Sequence, residues 1–281
     1  MKRIFIMIPL VILLVFPLVL TSCGDDDDKG GGTEPVTTDL PDIPQPEVNQ
    51  SVDFQSQDQT AVQAQTLVQA QLFMASGIAT MGAGFLAPVA GADWGSSTND
   101  CWTWTYTYGG CTWTYAVCET TEGYEWTMTF NGTCFDPEDE PAVNWVALRG
   151  FMNTDGTEGH FYWYEVNTTD VGGAWEWESN AEGRHCTWTF YEGEIDPANE
   201  WATFTWTKNA DDSEDMTWVM EDSKFVSHVS ADGNSGWMEY YTKNTGDWTL
   251  YWKIVWNADG SGSWTTYDES GPSTQTWDSG S

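Results

Sequence analysis

From Cys101 onward the chain alternates. Trp102, Trp104, Tyr106 and Tyr108 interleave with Thr103, Thr105 and Thr107. A period of two puts the rings on one face of an extended strand and the hydroxyls on the other. The same grammar returns in Trp126-Thr127-Met128-Thr129-Phe130, in Phe204-Thr205-Trp206-Thr207, and in Trp248, Leu250, Trp252, Ile254 and Trp256. Turn signals punctuate it in two alternating sets. One holds Gly123, Gly156, Gly183, Asp211-Asp212, Gly233 and Gly260; the other holds Gly109-Gly110, Asp136-Pro137, Gly172-Gly173, Asp196-Pro197, Asp222-Ser223, Gly246 and Gly271-Pro272. Strict alternation of the two sets is what the two ends of an up-and-down antiparallel sheet produce, with about 14 strands between them. Glu122-Gly123, Thr127 and Thr129-Phe130 recur as Glu182-Gly183, Thr187 and Thr189-Phe190, the mark of duplicated hairpins.

A sheet with Trp or Tyr on nearly every strand must shield that face, since each such side chain is worth roughly 1.5–3 kcal/mol when buried. A bare single-layer sheet is therefore disfavoured. The expected fold is mostly β, a meander closed into a barrel around an N-terminal helix; a β-sandwich is the alternative. Closing about 14 strands leaves an interior wider than side chains alone fill. A helix roughly 10–12 Å across fits it. A transmembrane barrel has the same period, but it gathers its aromatics into two girdles rather than along whole strands.

The filling is found upstream. Between Asp58 and Asp93 no residue is charged. Gln59 to Ala75 reads as helix, and Leu67, Met74, Ile78, Met81 and Phe85 recur at helical spacing. Gly77, Gly82 and Gly84 loosen the second half, and Gly82-x-Gly84 follows a helix rather than a strand, so it is no nucleotide loop. Residues 51–92 are expected to pack inside or against the sheet formed by residues 93–281.

The cysteines test the register. A two-residue turn at Gly109-Gly110 places Cys101 directly opposite Cys118. A four-residue loop at Thr121–Tyr124 places Cys111 opposite Cys134. Both fall at non-hydrogen-bonded positions, where Cα atoms approach to roughly 4.5 Å. The expected bridges are Cys101–Cys118 and Cys111–Cys134, with Cys186 unpaired or replacing one partner.

The N-terminus is an address. Met1-Lys2-Arg3 precedes an apolar run from Ile4 to Leu20, then Leu20-Thr21-Ser22-Cys23. A basic flank, an apolar stretch and small residues describe a secretory signal, residues 1–22. The last four residues resemble the lipobox of bacterial lipoproteins, which implies acylation of Cys23, with palmitate among the chains. Asp25, Asp26, Asp27 and Asp28 follow at once. That cluster resembles the surface-export signal of lipoproteins in the Bacteroidota. Residues 23–50 are rich in Gly, Pro, Asp and Thr and read as a flexible acidic tether. The resemblance implies an outer-membrane location, facing the cell exterior.

Charge narrows the partners. The chain carries 43 Asp+Glu against 9 Lys+Arg, a formal net charge of −34. Nucleic acid and bare anionic membrane would be repelled, so the membrane partner is reached through the lipid. His160, His185 and His228 are isolated, and no Cys-x-x-Cys, Gly-x-Ser-x-Gly or His-Glu-x-x-His occurs. Arg184-His185-Cys186 reads as a strand with a buried, inert thiol. Glu176 and Glu178 alternate with Trp175 and Trp177 and belong to the wet face. The reading is a non-catalytic surface lipoprotein without metal or cofactor, with a structural, adhesive or glycan-binding role. Its partner is a glycan or a protein, and Trp201 or Trp237 would supply a stacking surface. The alternative is a carrier of a hydrophobic ligand in the barrel interior. Ice binding ranks last; it would use outward rows Thr107–Thr112–Thr133 and Thr105–Thr114.

Overall fold

A computed structural model describes residue 48 and residues 52–84, 96–98, 101–134, 141–192, 195–196, 199–244 and 246–279. Cys23, Asp25, Asp26, Asp27 and Asp28 lie outside them. Among the described residues one helix, α1 (Gln59–Gly84), precedes a 15-stranded sheet. The strands are β1 (Ser96–Thr98), β2 (Cys101–Tyr108), β3 (Cys111–Glu119), β4 (Gly123–Gly132), β5 (Ala142–Asn153), β6 (Glu158–Tyr164), β7 (Val171–Asn180) and β8 (Gly183–Tyr191). They continue as β9 (Glu200–Asn209), β10 (Glu214–Met220), β11 (Ser223–Val229), β12 (Gly236–Asn244), β13 (Asp247–Trp256), β14 (Gly262–Asp268) and β15 (Gly271–Trp277). Each strand pairs antiparallel with its sequence neighbours, an uninterrupted up-and-down order.

The sheet is not the closed barrel expected. Among the described residues no ladder joins β1 to β15. The physical reason lies in the end strands. Pro272 has no N–H to donate, and residues 272–276 of β15 are exposed on both faces, so the inward apolar set that closure would bury is missing there. β1 has only three residues. The sheet nevertheless curls, because inner side chains from β2 through β15 belong to one core cluster together with α1.

The inner face carries a hoop of rings at paired positions. Trp126 faces Gly150, Gly150 faces Phe161, and the row continues through Trp175, Trp188, Phe204, Trp218, Phe225, Tyr240 and Trp252. Trp175 stacks on Trp188 at 5.7 Å with 9° between planes, and Phe161 stacks on Trp175 at 5.7 Å. Such pairs add about 0.5–1.5 kcal/mol each beyond the area they bury. The one gap, Gly150, is covered by the Phe161 ring.

Helix α1 starts on an Asp58 cap, whose carboxylate accepts from the Thr60 N–H at 2.7 Å. Its buried stripe is Ala61, Ala64, Val68, Leu72, Ala75 and Ile78. Of the stripe read from the sequence, Ile78 is buried and Leu67 packs half-buried against the core. Met74 departs from it at 41% exposed, beside Phe73 at 71%, and the side chains of Met81 and Phe85 lie outside the described residues. Small Ala side chains let the helix approach the sheet closely. With no charged residue to mark the wet side, the pattern of larger apolar residues was a poor guide. The helix is also not enclosed, since this face reaches solvent. Two glutamines tie the helix to the segment before it. Gln65 and Gln69 donate to the Val52 carbonyl at 3.1 and 3.0 Å, and Gln65 accepts from the Phe54 N–H. Phe54 in turn stacks on Trp256 and Trp277.

The sheet therefore has two distinct ends. The chain enters at the near end, where the Phe54 carbonyl abuts Gly260. Here the turns share a cassette: Asp155, Asp211, Asp232 and Asp259 each accept a backbone N–H from two residues on. Gly156, Gly233 and Gly260 hold positive φ in it, and Asp212 takes the same place at φ 64°. The far end carries the β2–β3, β6–β7, β10–β11 and β12–β13 connections.

The two bridges are Cys101–Cys118, with Cα atoms 4.0 Å apart, and Cys111–Cys134, at 4.5 Å. Cys101 does face Cys118 in the ladder. The second register differs from expectation: Cys111 faces Gly132, and Glu119 faces Tyr124. The loop is tighter, because the Thr120 N–H donates to the Gly123 carbonyl. Gly132 then takes φ 100° and the Thr133 N–H donates to the Gly110 carbonyl, which turns Cys134 back beside Cys111.

Candidate functional site

Three of the five register shifts among the described strands fall at one place on the far end. The β4–β5 pair shifts register twice, between Met128 and Thr129 and between Phe130 and Gly132, and β6–β7 shifts between Trp163 and Tyr164. Of four non-glycine residues with positive φ among the described residues, Asn144 (47°) and Asn167 (58°) stand here. Bulges and left-handed residues cost energy and gather where a side chain must be re-aimed. Between them opens a groove of about 940 Å³, lined by Pro141, Asn144, Arg149, Tyr164, Asn167 and Asp170 among others.

The walls are tied together. Asn167 donates from Nδ2 to the Pro141 carbonyl at 3.3 Å, joining the β6–β7 loop to the start of β5. Within that loop the Glu165 N–H donates to the Asp170 carbonyl at 2.8 Å, and the Asp170 N–H donates to Thr168 Oγ1 at 3.0 Å. Burial, then Asp170 and Glu192, push the Glu165 carboxyl above its ordinary value. Asn144 receives its place from β4, its N–H donating to Asn131 Oδ1 at 3.4 Å. Arg149 is exposed, between Thr127 and Tyr162 on the neighbouring strands. Among the described residues the lining offers a guanidinium, two amides, hydroxyls, a phenol, one carboxylate and the exposed apolar Val143. That mixture of donors and acceptors beside apolar surface suits a hydroxyl-rich ligand.

The residues singled out from sequence are dispersed. The four bridged cysteines fasten β2, β3 and the end of β4, and none of them is among the described residues that line the groove. Cys186 is buried beside the Trp175 indole, and burial pushes its thiol up to about 12, which leaves it inert. His185 faces outward, bonded to Thr207 and Thr187. His228 pairs with Asp215 at 2.8 Å and stacks on Trp237. His160 packs beside Tyr162. Glu176 and Glu178 are exposed. Trp201 is 37% exposed and leans on Phe190. Thr105 bonds Thr114, and Thr107 bonds Thr112, but the tighter β3–β4 loop puts Asn131 opposite Thr112 and removes Thr133 from the row. Among the described residues no group of three or more His, Cys, Asp and Glu could hold a metal ion.

Sequence reading missed Asn144, Arg149, Tyr164 and Asn167. Two signals pointed to them: Arg149 is one of only 9 basic residues, and Asn144 interrupts an apolar run. No protein-family model matches the chain, and no curated protein matches it.

Proposed function

We propose that the chain is a lipid-anchored, surface-displayed lipoprotein, non-catalytic, that binds carbohydrate in the far-end groove. The observation that carries this reading is the pair Asn144 and Asn167, both held in left-handed conformations across a groove whose walls are hydrogen-bonded together. Display supports it too. A lipid on Cys23 followed by a flexible tether over residues 23–50 would hold the groove clear of the membrane surface. Under this reading the curled sheet acts as a barrel-like sleeve on α1. Glycoside hydrolysis needs two carboxylates flanking the bond, and among the described residues that line the groove Asp170 is the one carboxylate.

The test is a neutral oligosaccharide panel offered to residues 24–281, with Arg149→Ala and Asn167→Ala beside it. Loss of at least tenfold in affinity for a bound glycan in both variants is expected. Equal binding by the variants, or no binding by the parent chain, would overturn the groove reading. Anchoring is tested separately by Cys23→Ala, which should leave the membrane fraction.

The carrier reading has less behind it. The space between α1 and the sheet, lined by Leu72, Ala75, Phe204, Met216 and Trp218 among others, is about 20 Å³. That is roughly room for one water. A native mass exceeding the denatured mass would restore it. Ice binding is weakened by the broken threonine row and by hydroxyls that bond one another; a flat recrystallisation assay would dispose of it.

A further inference from the structure

The far end bears a second feature, on the outer wall of β11–β13 and separate from the groove. Lys224 Nζ lies 4.3 Å from the Tyr241 ring centroid and 5.6 Å from that of Trp248. Lys243 Nζ lies 5.5 Å from the same Trp248 centroid. Two ammonium groups thus converge on one indole. Neither makes an ion pair among the described residues, in a chain with 43 Asp+Glu and 9 Lys+Arg. Chance favours a carboxylate beside any lysine of such a chain, and the neighbouring Lys253 has one, Glu239 at 2.7 Å. Glu239 also accepts from the Tyr241 hydroxyl, so both its oxygens are engaged and it acts on Lys224 only at a distance.

The register builds this arrangement. Lys224 faces Tyr241, and Lys243 faces Trp248. The second pairing depends on a shift between Tyr240 and Tyr241, without which Lys243 would face Thr249. A bulge that swaps a threonine for an indole under a lysine aims side chains rather than ending a ladder. Contact with the rings restrains the two ammonium groups, which lowers the entropy lost when a ligand orders them.

We propose that Lys224, Lys243, Tyr241 and Trp248 form a binding site for a short acidic oligosaccharide, its carboxylate groups at the ammonium ions and its C–H faces against the rings. Length decides between polyanions. At physiological salt the Debye length is about 8 Å, so a ligand a few sugars long meets far less of the surrounding acidic surface than a long polyanion does. A nucleic acid would run on over that surface and be repelled. The site goes beyond the neutral-glycan groove and shares only the surface display with it.

Titration calorimetry of residues 24–281 with tetragalacturonate, beside neutral cellotetraose, tests the proposal at low and at physiological salt. Lys224→Gln with Lys243→Gln should weaken tetragalacturonate at least tenfold, flatten its salt dependence and leave the melting temperature unchanged. Trp248→Ala should weaken it comparably; if that variant fails to fold, the lysine pair carries the test. Unchanged binding by the lysine variant overturns the site, as does no binding by the parent chain. Lysine substitutions that alter only self-association overturn it in favour of a second copy as occupant. Loss through Arg149→Ala instead would move the acidic sugar to the groove, overturning this site and sparing that one.

Discussion

The Trp177 indole lies flat over Gly159 and donates its N–H to the Gly156 carbonyl at 3.2 Å. Trp256 repeats the relationship, lying over Gly236 and donating to the Gly233 carbonyl at 3.2 Å. In each case a glycine three residues past the near-end turn glycine leaves its inner face bare, and the next strand's indole fills it. The bond to the turn then fastens a ring of the core to the end of the sheet.

Gly159→Ala should therefore be costly although it adds one methyl. Its Cβ would clash with the Trp177 ring and the Phe151 carbonyl, and that ring is buried and held by its bond to the Gly156 carbonyl. Overpacking of about 1–3 kcal/mol plus a lost hydrogen bond of about 1 kcal/mol predicts a loss of about 2–4 kcal/mol. Urea denaturation reads it, and a loss no larger than that of an ordinary surface substitution would refute the account.

Asp212→Gly should act in the opposite direction. Asp212 stands at φ 64° where the sister turns carry glycine. Removing the left-handed strain outweighs the exposed pair with Lys208, 3.2 Å away. A gain of about 0.5–1 kcal/mol is expected, seen as a rise in Tm.

The turn carboxylates make stability depend on acid. Asp155, Asp211, Asp259 and Asp268 are held below the ordinary value of 3.8, chiefly by the hydroxyls two residues on. For Asp232 the backbone N–H of Asn234 is the leading cause. A carboxyl whose folded pKa is depressed contributes stability that is complete above its unfolded pKa and is lost as pH falls through the folded one. Denaturant midpoints should thus hold from neutrality down to about pH 4 and decline below it. In Asp155→Asn and Asp259→Asn part of that decline should vanish, because the amide still accepts the bonds without titrating.

Cross-links set the stability of the β2–β4 corner. The bridges close loops of 17 and 23 residues. Chain entropy assigns about 3 kcal/mol to each. Cys101→Ser with Cys118→Ser should lower the unfolding free energy by about that amount. In residues 24–281, iodoacetamide should label Cys186 only after denaturation, and rapid labelling of the native chain would contradict its burial.

Much of this architecture is written locally. Aromatic–threonine alternation states which face of every strand is inner, and glycine or Asp-Gly between runs states where each strand ends. Together they yield the meander and the Cys101–Cys118 pair, because a two-residue turn propagates its register rigidly along both strands. Departures begin wherever one residue more or less decides pairing. The β3–β4 loop closed one step tighter than its composition implied, which moved Cys134 off the ladder and Thr133 out of its row. The groove was hidden for the same reason: Asn144, Arg149 and Asn167 become neighbours only through bulges in β5 and β7, and a bulge leaves no period in sequence. Closure, too, was a tertiary decision. The period-two pattern is the same in an open and a closed sheet, and it is the doubly exposed β15 and the seat of α1 that left the ends unpaired. Sequence alone determined the strands, their faces and their order, since these follow from side chains within a few residues of one another. The helix's buried face, the sheet's open edge and the convergence of Lys224 and Lys243 on Trp248 were decided by packing between segments that local pattern does not relate.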